Sequence, residues 1–342
     1  DSALEFCGIT HLKNRTLQSL SGGEKQKAML SCLIVLKPKW LLLDEPFANV
    51  DEKSAKELVQ KIKQLHDKGT GILVVDHRLD YWLPIAHEIR LMDRNHRLEQ
   101  IGHKVDELTD KMLVDMGLLA INGHYRLDSE EKNHEDIEPV LQLNKISVKR
   151  GNEDVLKDIS ATFYEKKVYA IVGESGSGKT TLFGAINGLY KYQGDILLKG
   201  KNIKKPLGYK AGTIGFVTQN PQDQFVTNTV LEEIELGLRR IKHKKGKVEE
   251  AEKILRGIGL WPYQNFSPYM LSQGQQRRLG VAALLTYDCQ VLICDEPTYA
   301  QDKDNTISIM NGLMDRTKKR DMTLIISTHD HRLAQDYADV IL

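Results

Sequence analysis

The 342-residue chain has few cysteines, almost no net charge and no long apolar run. Its four cysteines show no C-x-x-C spacing, so we expect reduced core residues of a cytosolic protein, without a disulfide framework. A formal net charge of +1 gives no sign of nucleic acid as a partner. No stretch approaches the roughly 20 apolar residues that cross a bilayer, and no targeting pattern begins the chain. These features predict a soluble chain that is long enough for two domains.

Short runs rich in Val, Ile and Leu alternate with longer stretches of helical periodicity. The runs cover residues 40–43, 72–75, 168–172, 291–293 and 324–326. Each is soon followed by a glycine or a polar residue, which is typical of buried parallel strands whose C-terminal ends carry chemistry. Residues 53–66 have the apolar spacing of a helix. The alternation predicts an α/β fold.

An internal repeat divides the chain. The segment LSGGE at 20–24 recurs as LSQGQ at 271–275, and DEP at 44–46 recurs at 295–297, both at an offset of 251 residues. We therefore predict two homologous domains. The predicted bounds are 1–122 for the first domain, 123–140 for an acidic, polar linker and 141–342 for the second domain.

The same offset predicts that the chain is cut at both ends. First-domain partners of Lys179 and Gln219 would fall before Asp1, so we expect the first domain to lack its phosphate loop. Past the histidines the offset is 252, as between His77 and His329, and the second domain stops at Leu342, which then aligns with Arg90, where the first domain continues. An incomplete first sheet is expected to expose apolar strand residues such as 72–75.

A phosphate-binding loop is predicted where G-x-x-x-x-G-K-[ST] follows a strand and opens a helix. Small residues let backbone N–H groups surround phosphates at a helix N-terminus, the lysine reaches the outer phosphates, and a hydroxyl ligates Mg²⁺. The alternative is a flexible glycine-rich turn. The predicted residues are Gly173, Glu174, Ser175, Gly176, Ser177, Gly178, Lys179, Thr180 and Thr181.

Two carboxylates, Asp295 and Glu296, end a predicted buried strand. Asp295 is predicted to hold Mg²⁺ with Thr180, and Glu296 to act as the general base on an attacking water. The alternative is a solvated pair or a helix cap. Asp44 and Glu45 repeat the pair at matched spacing, which favours chemistry.

Two strand-end histidines and one glutamine complete the set of polar candidates. His77 and His329 each follow a predicted strand about 33 residues after the Asp-Glu pairs. A lone histidine there is usually structural, but the repetition favours a γ-phosphate sensor. Gln219 ends another short strand, where a glutamine reaches Mg²⁺ or the attacking water.

The repeated LSGGE-type segments have two interpretations. They match S-x-x-[EQ] capping boxes, which begin helices. Paired glycine does not favour an ordinary first helical turn, however, and exposed N–H groups beside a serine suit a phosphate supplied by another domain. The residues concerned are Ser21, Gly22, Gly23 and Glu24 in the first domain and Ser272, Gly274 and Gln275 in the second.

Together these residues resemble the ABC ATPase family. Its Walker A, Q-loop, signature, Walker B, D-loop and H-loop motifs fall in order at 173–180, Gln219, 271–275, 291–296, 299–302 and His329. More narrowly, the sequences of residues 45–51, 219–225 and 296–302 are similar to those of the duplicated energy-coupling ATPases of ECF-type vitamin and metal importers. The resemblance implies a P-loop NTPase fold with a mixed or parallel sheet and a helical subdomain.

This resemblance also implies ligands, partners and location. It implies binding of ATP and Mg²⁺, with hydrolysis coupled to a transmembrane scaffold and a separate substrate-binding membrane subunit, at the cytoplasmic face of the membrane. Nucleic acid is not expected. ATP would lie between the Walker A of one domain and the signature of the other, so Ser21 to Glu24 would serve the second domain, and residues 219–231 would contact the membrane partner.

Two departures from the family pattern stand out. Arg150 occupies the position where the family often has an aromatic residue on adenine, and a guanidinium also stacks. Gln273 replaces a signature glycine. The alternatives to an importer are a soluble ABC ATPase acting on ribosomes or DNA, disfavoured by the short linker, and a nucleotide-binding fragment without turnover.

Overall fold

The computed structural model describes residues 2–17, 20, 22–47, 50, 52–76, 79–92, 98–102, 138–151, 153–173, 176–203, 213–239, 246–287, 289–299, 301 and 303–342. These residues form two compact units, an N-terminal unit in the first third of the chain and a C-terminal unit from residue 138 onward. Each unit has its own hydrophobic core. Most of the predicted linker lies outside the described residues.

The N-terminal unit is a small α/β layer. Its strands are β1 (Trp40–Asp44), β2 (Gly71–Val75), β3 (Ile89–Met92) and β4 (Leu98–Gly102), and its helices are α1 (Ser2–Phe6), α2 (Gly22–Val35), α3 (Glu52–Asp67) and α4 (Leu79–Trp82). β1 and β2 pair in parallel, and β3 and β4 form an antiparallel hairpin. The strands predicted at 40–43 and 72–75 and the helix predicted at 53–66 are confirmed.

The β1–β2 pair buries one face and exposes the other. Leu41 and Leu43 share a core with Leu58 and Ile62 of α3. The opposite face carries apolar side chains that are each more than half exposed, namely Trp40, Leu42, Leu73 and Val75. An apolar strand face is therefore exposed in this unit, as the sequence predicted.

The C-terminal unit contains one parallel and one antiparallel sheet. Its strands are β5 (Pro139–Arg150), β6 (Glu153–Tyr164), β7 (Val168–Val172), β8 (Gln193–Leu198), β9 (Lys201–Asn202), β10 (Ile214–Val217), β11 (Val291–Asp295), β12 (Thr323–Thr328) and β13 (Val340–Ile341). The parallel sheet has the order β10-β11-β12-β7-β13, and the antiparallel sheet has the order β6-β5-β8-β9. The α/β fold predicted from the alternating pattern is confirmed.

Strands β11 and β12 are buried along their whole length, which explains their apolar runs at 291–294 and 324–326. β11 pairs with β10 on one side and β12 on the other, and β12 also pairs with β7. Because these strands are parallel, their carboxyl ends meet at one edge of the sheet.

Helices complete the C-terminal unit. They are α5 (Lys179–Ile186), α6 (Val230–Arg239), α7 (Lys247–Gly257), α8 (Gln273–Leu285), α9 (Lys303–Arg320) and α10 (His331–Tyr337). Side chains of α5 pack between the two sheets, with Phe183 and Ile186 fully buried. α6, α7 and α8 share a separate helical core around Ile234, Leu255 and Leu279.

Two details differ from the sequence predictions. β5 begins at Pro139, two residues before the predicted domain start, because Val140 is buried in the sheet core. Cys32 is exposed on the solvent side of α2, so the prediction that every cysteine is a core residue is wrong for this one. Cys7, Cys289 and Cys294 are buried as expected.

Candidate functional site

The carboxyl ends of four adjacent strands carry the predicted second-domain residues. Gln219 lies two residues beyond β10, Asp295 and Glu296 end β11, His329 follows β12, and the glycine-rich loop follows β7. Parallel pairing places these strand ends side by side. The polar candidates of the C-terminal unit therefore lie along one sheet edge, where ligands bind in open α/β sheets.

The glycine-rich loop leads directly into α5. Gly178, the N-cap of α5, is left-handed with φ 99°, and a Cβ there would lie 2.8 Å from Leu156 Cδ2. Glycine is therefore required for both backbone conformation and space. Lys179 Nζ donates to the Gly173 carbonyl at 2.7 Å. Glu174 and Ser175 lie outside the described residues.

Two threonines follow in the first turn of α5. The side chain of Thr180 is exposed, whereas Thr181 is 7% exposed and belongs to the buried face of the helix. Thr180 is thus available to a ligand at the loop. The N–H groups at this helix start have no partners one turn earlier in the helix, which makes the position suitable for a phosphate.

Asp295 is a buried carboxylate, and one of its two oxygens accepts a hydrogen bond. Its Oδ1 accepts a hydrogen bond from Ser327 Oγ at 2.5 Å, while Oδ2 is buried and makes no hydrogen bond of good geometry within the described residues. Burial raises the pKa of Asp295, opposed by the hydroxyls of Ser327 and Thr180, which lies close by. An unused buried carboxylate oxygen near a threonine hydroxyl fits Mg²⁺, which prefers hard oxygen ligands.

Glu296 has an unusual backbone and a specific side-chain partner. Its φ is 51°, in the left-handed region that is rare for residues other than glycine. Its backbone N–H donates to Ser327 Oγ at 3.0 Å, and its Oε2 lies 3.1 Å from His329 Nδ1. Glu45, the corresponding residue of the N-terminal unit, has φ 41°. Both units hold this glutamate in a strained conformation of the kind that clusters at functional sites.

The side chain of Gln219 is exposed, and its backbone is held by Arg277. Arg277, on α8, donates through Nη1 to the Thr218 carbonyl at 2.7 Å and through Nη2 to the Gln219 carbonyl. Arg277 is 2% exposed. Burial lowers its pKa, and the negative charges of Glu296 and Asp295 oppose that shift. A buried cation that interacts with the strand-end carboxylates thus fixes the loop that carries Gln219.

Arg277 and Ser327 were missed by the sequence predictions. Both act through tertiary contacts, and neither belongs to a recognisable spacing motif. The repeat contained one usable signal. Gln26 stands at the position of Arg277 at an offset of 251, and Val75 at that of Ser327 at the offset of 252 that also relates His77 to His329, so the two units differ at these positions.

The second signature segment begins α8 as a capping box. Ser272 Oγ accepts from the Gln275 N–H at 3.3 Å, and the Ser272 N–H donates to Gln275 Oε1 at 2.9 Å. A Cβ at Gly274 would lie 3.1 Å from Gln301 Nε2, so close packing also favours glycine there. The capping interpretation is confirmed for this segment, and it leaves a phosphate-binding role open.

The first signature segment begins α2 at Gly22. A Cβ at Gly23 would lie 3.3 Å from Ser54 Oγ, and Glu24 lies in the first turn of the helix. Ser21 lies outside the described residues. The predicted helix is therefore present in this unit, with Gly23 buried against α3, and the presentation of its N–H groups to a phosphate stays a prediction.

The other first-domain candidates lie at the end of β1. Asp44 is exposed and Glu45 is partly buried, and the Glu45 N–H donates to the Val75 carbonyl at 2.8 Å. His77 lies outside the described residues. Asp44 and Glu45 thus occupy strand-end positions equivalent to Asp295 and Glu296.

Arg150 stacks on a tyrosine. Its guanidinium carbon lies 4.5 Å from the centre of the Tyr190 ring, and Nη1 lies 3.4 Å from the Tyr190 hydroxyl. Tyr190 in turn packs against Gly184 of α5. The guanidinium is therefore held beside the Tyr190 ring at the end of β5, and its predicted contact with adenine stays a prediction.

No helix within the described ranges is long and apolar enough to cross a membrane.

Comparison with known proteins gives matches along the whole chain. A family model described as ABC transporter matches residues 1–48 and 156–299. A Bacillus subtilis protein named "Putative HMP/thiamine import ATP-binding protein YkoD" is 34% identical over 376 residues, which cover 100% of this chain and 67% of the relative. The chain spans about two thirds of the length of the first curated relatives it matches, from 64% to 67%.

Solved structures give two kinds of likeness. CbiO1 from Clostridium perfringens, part of the ABC transporter complex CbiONQ, is 29% identical, with a TM-score of 0.51 over 59% of this chain and 84% of that chain. A chain from the ribosome-bound archaeal Pelota and ABCE1 assembly has a TM-score of 0.73 at 19% identity, over 99% of this chain and 56% of that chain. At 19% identity the second likeness shows a shared fold alone.

Proposed function

Because this chain belongs to the ABC transporter family of ATP-binding proteins, we propose that the whole protein binds and hydrolyses ATP to power a membrane importer. The observation that carries this proposal is the sheet edge of the C-terminal unit. There Lys179 follows β7, Asp295 and Glu296 end β11, and His329 pairs with Glu296 at 3.1 Å. In the proposed function this set would supply a phosphate cradle, a hard-metal ligand and a general base.

The phosphates of ATP would lie at the start of α5. Backbone N–H groups of the glycine-rich loop and the positive end of the helix would stabilise them. Lys179 would exchange its bond to the Gly173 carbonyl for the outer phosphates. Thr180, Asp295 and Gln219 would hold Mg²⁺, which supplies positive charge to the phosphate oxygens.

Glu296 would accept the proton of the attacking water at a carboxylate oxygen. His329 Nδ1 lies 3.1 Å from that carboxylate, and the Nε2 end of the same ring would contact the terminal phosphate. The adenine would stack on the guanidinium of Arg150. These are the roles the sequence predicted, and the hydrogen bonds within the C-terminal unit support them.

The N-terminal unit would take part through the start of α2. In the whole protein, pairing of two ATPase domains would bring Ser21, Gly22, Gly23 and Glu24 to the terminal phosphate of the ATP bound by the C-terminal unit. Asp44, Glu45 and His77 would belong to a reciprocal site with Ser272, Gly274 and Gln275. The family resemblance carries this step.

A transmembrane scaffold would contact the C-terminal unit near residues 219–231. A cleft of about 300 Å³ opens there, lined by Gln224, Val226, Glu233 and Tyr287 among others. Val226 is 73% exposed, and the buried amide atoms of Gln224 make no hydrogen bond within the described residues. An inserted polar and apolar segment of a membrane subunit fits both features.

The imported substrate would be a vitamin, a thiamin precursor or a metal ion, selected by a separate membrane subunit. One relative is named for HMP/thiamine import, and CbiO1 belongs to a transporter complex. The protein would therefore work at the cytoplasmic face of the membrane, as a peripheral subunit.

Replacement of the general base tests the catalytic proposal. Glu296→Gln in the whole protein should retain ATP binding and lose phosphate release by at least about 100-fold, since a positioned general base contributes about 10²–10⁴. Glu249→Gln, an exposed carboxylate on α7, is the matched control. Phosphate release by Glu296→Gln at the wild-type rate would show that Glu296 is not the base.

A further inference from the structure

Ser327 contacts both the Asp295 carboxylate and the Glu296 backbone without belonging to any predicted motif. It stands directly opposite Asp295 in the parallel ladder of β11 and β12, and its side chain is fully buried. Its hydroxyl donates to Asp295 Oδ1 at 2.5 Å and accepts the Glu296 N–H at 3.0 Å. One side chain therefore links the metal-holding residue to the backbone of the general base.

These two bonds fix the orientation of the hydroxyl. A serine hydroxyl has a single proton, and here that proton is given to Asp295 Oδ1 while an oxygen lone pair is occupied by the Glu296 N–H. The Asp295 carboxylate is consequently held with Oδ1 against β12. Oδ2, which makes no good hydrogen bond within the described residues, is left for another ligand.

The N-terminal unit, which has no such hydroxyl at this position, shows which of the two bonds the left-handed glutamate needs. Val75 stands opposite Asp44 in the β1–β2 ladder, so this aspartate has no serine beside it. Glu45 nevertheless keeps φ 41°, with its N–H bonded to the Val75 carbonyl at 2.8 Å. The left-handed glutamate thus forms without a hydroxyl, and the distinct contribution of Ser327 is its bond to the aspartate.

We propose that Ser327 is a positioning residue that orients Asp295 Oδ2 toward the Mg²⁺ of the bound nucleotide. The proposal rests on the function proposed above. It implies that Asp44, opposite a valine, is a less constrained metal ligand than Asp295. The unequal strand residues at these two positions therefore make the carboxylates of the two units unequal.

Nucleotide binding at varied Mg²⁺ concentration tests this role without relying on turnover. A fluorescent ATP analogue is titrated into the full 342-residue chain, with Mg²⁺ and with EDTA, for the wild type, Ser327→Ala and Ser327→Cys. Thr323→Val is the matched control, because Thr323 is a fully buried hydroxyl on the same strand that donates to the Tyr164 carbonyl. Thermal unfolding of each variant is recorded in parallel.

For Ser327→Ala we expect the Mg²⁺ concentration at half-saturation to rise about tenfold, because a hydrogen bond to a charged group is lost. Binding in EDTA and the Mg²⁺ requirement of Thr323→Val should stay at wild-type values. If Ser327→Ala does not fold, Ser327→Cys carries the test, since its thiol donates weakly at similar volume.

Three results would overturn this role: an unchanged Mg²⁺ requirement in the folded Ser327 variant, an equal loss of binding in EDTA, or the same shift in Thr323→Val. A wild-type chain that binds no nucleotide under any condition would instead contradict the proposed function. The failures of the two proposals are therefore distinguishable.

Discussion

The buried guanidinium of Arg277 allows a quantitative prediction. Arg277→Met keeps most of the side-chain volume and removes the two bonds to the carbonyls of Thr218 and Gln219. Each hydrogen bond from a charged group is worth about 1.5–3 kcal/mol. This loss is partly offset, because the variant no longer buries a cation and because water can hydrogen-bond to the carbonyls of the exposed loop. We therefore expect a net loss of about 2 kcal/mol, concentrated in the loop that follows β10.

Hydrogen exchange measures this loss locally. A change of 2 kcal/mol in the opening free energy corresponds to about 30-fold faster exchange of amides in residues 218–220. Arg278→Met is the matched control, because Arg278 is the next residue on α8 and bonds to the Ile258 carbonyl and Asn305 Oδ1. Exchange at 218–220 that is unchanged in Arg277→Met, or equally fast in Arg278→Met, would refute the role assigned to Arg277.

Two further predictions concern a glycine and the cysteines. Gly178→Ala should destabilise the C-terminal unit by about 1–3 kcal/mol and weaken ATP binding, because φ is 99° and the Cβ would lie 2.8 Å from Leu156 Cδ2. Gly257→Ala is the control, because there is open space around its Cβ. In unfolding and binding assays the control should change neither stability nor ATP binding. A thiol reagent should modify the exposed Cys32 in the native chain and spare Cys294, whose pKa is raised by burial. If mass spectrometry finds Cys294 modified as fast as Cys32, Cys294 is not buried.

Much of the fold and most of the candidate site could be predicted from local sequence. The runs at 168–172 and 291–294 are continuously apolar because their side chains on both faces are buried or partly buried. The glycine-rich loop and the Asp295–Glu296 pair were recognisable because their chemistry depends on contiguous residues. Such features are predictable whenever neighbours in the chain are also neighbours in the site.

The remaining site residues depend on pairing between distant segments. Ser327 meets Asp295 only through the register of β11 and β12, and Arg277 reaches Gln219 only because α8 packs beside β10. In the sequence Arg277 is one of two adjacent arginines, and nothing local distinguishes it from Arg278. Likewise, the stacking of Arg150 on Tyr190 joins residues 40 positions apart.

The most direct measurement of the central claim is equilibrium binding of ATP to the wild-type chain, followed by calorimetry with Mg²⁺ present. If the sheet edge of the C-terminal unit is a nucleotide site, ATP should bind this unit at a ratio of one per chain, and inorganic phosphate alone should bind far more weakly. A chain that is folded by circular dichroism and shows no heat of ATP binding up to millimolar concentration would contradict the claim.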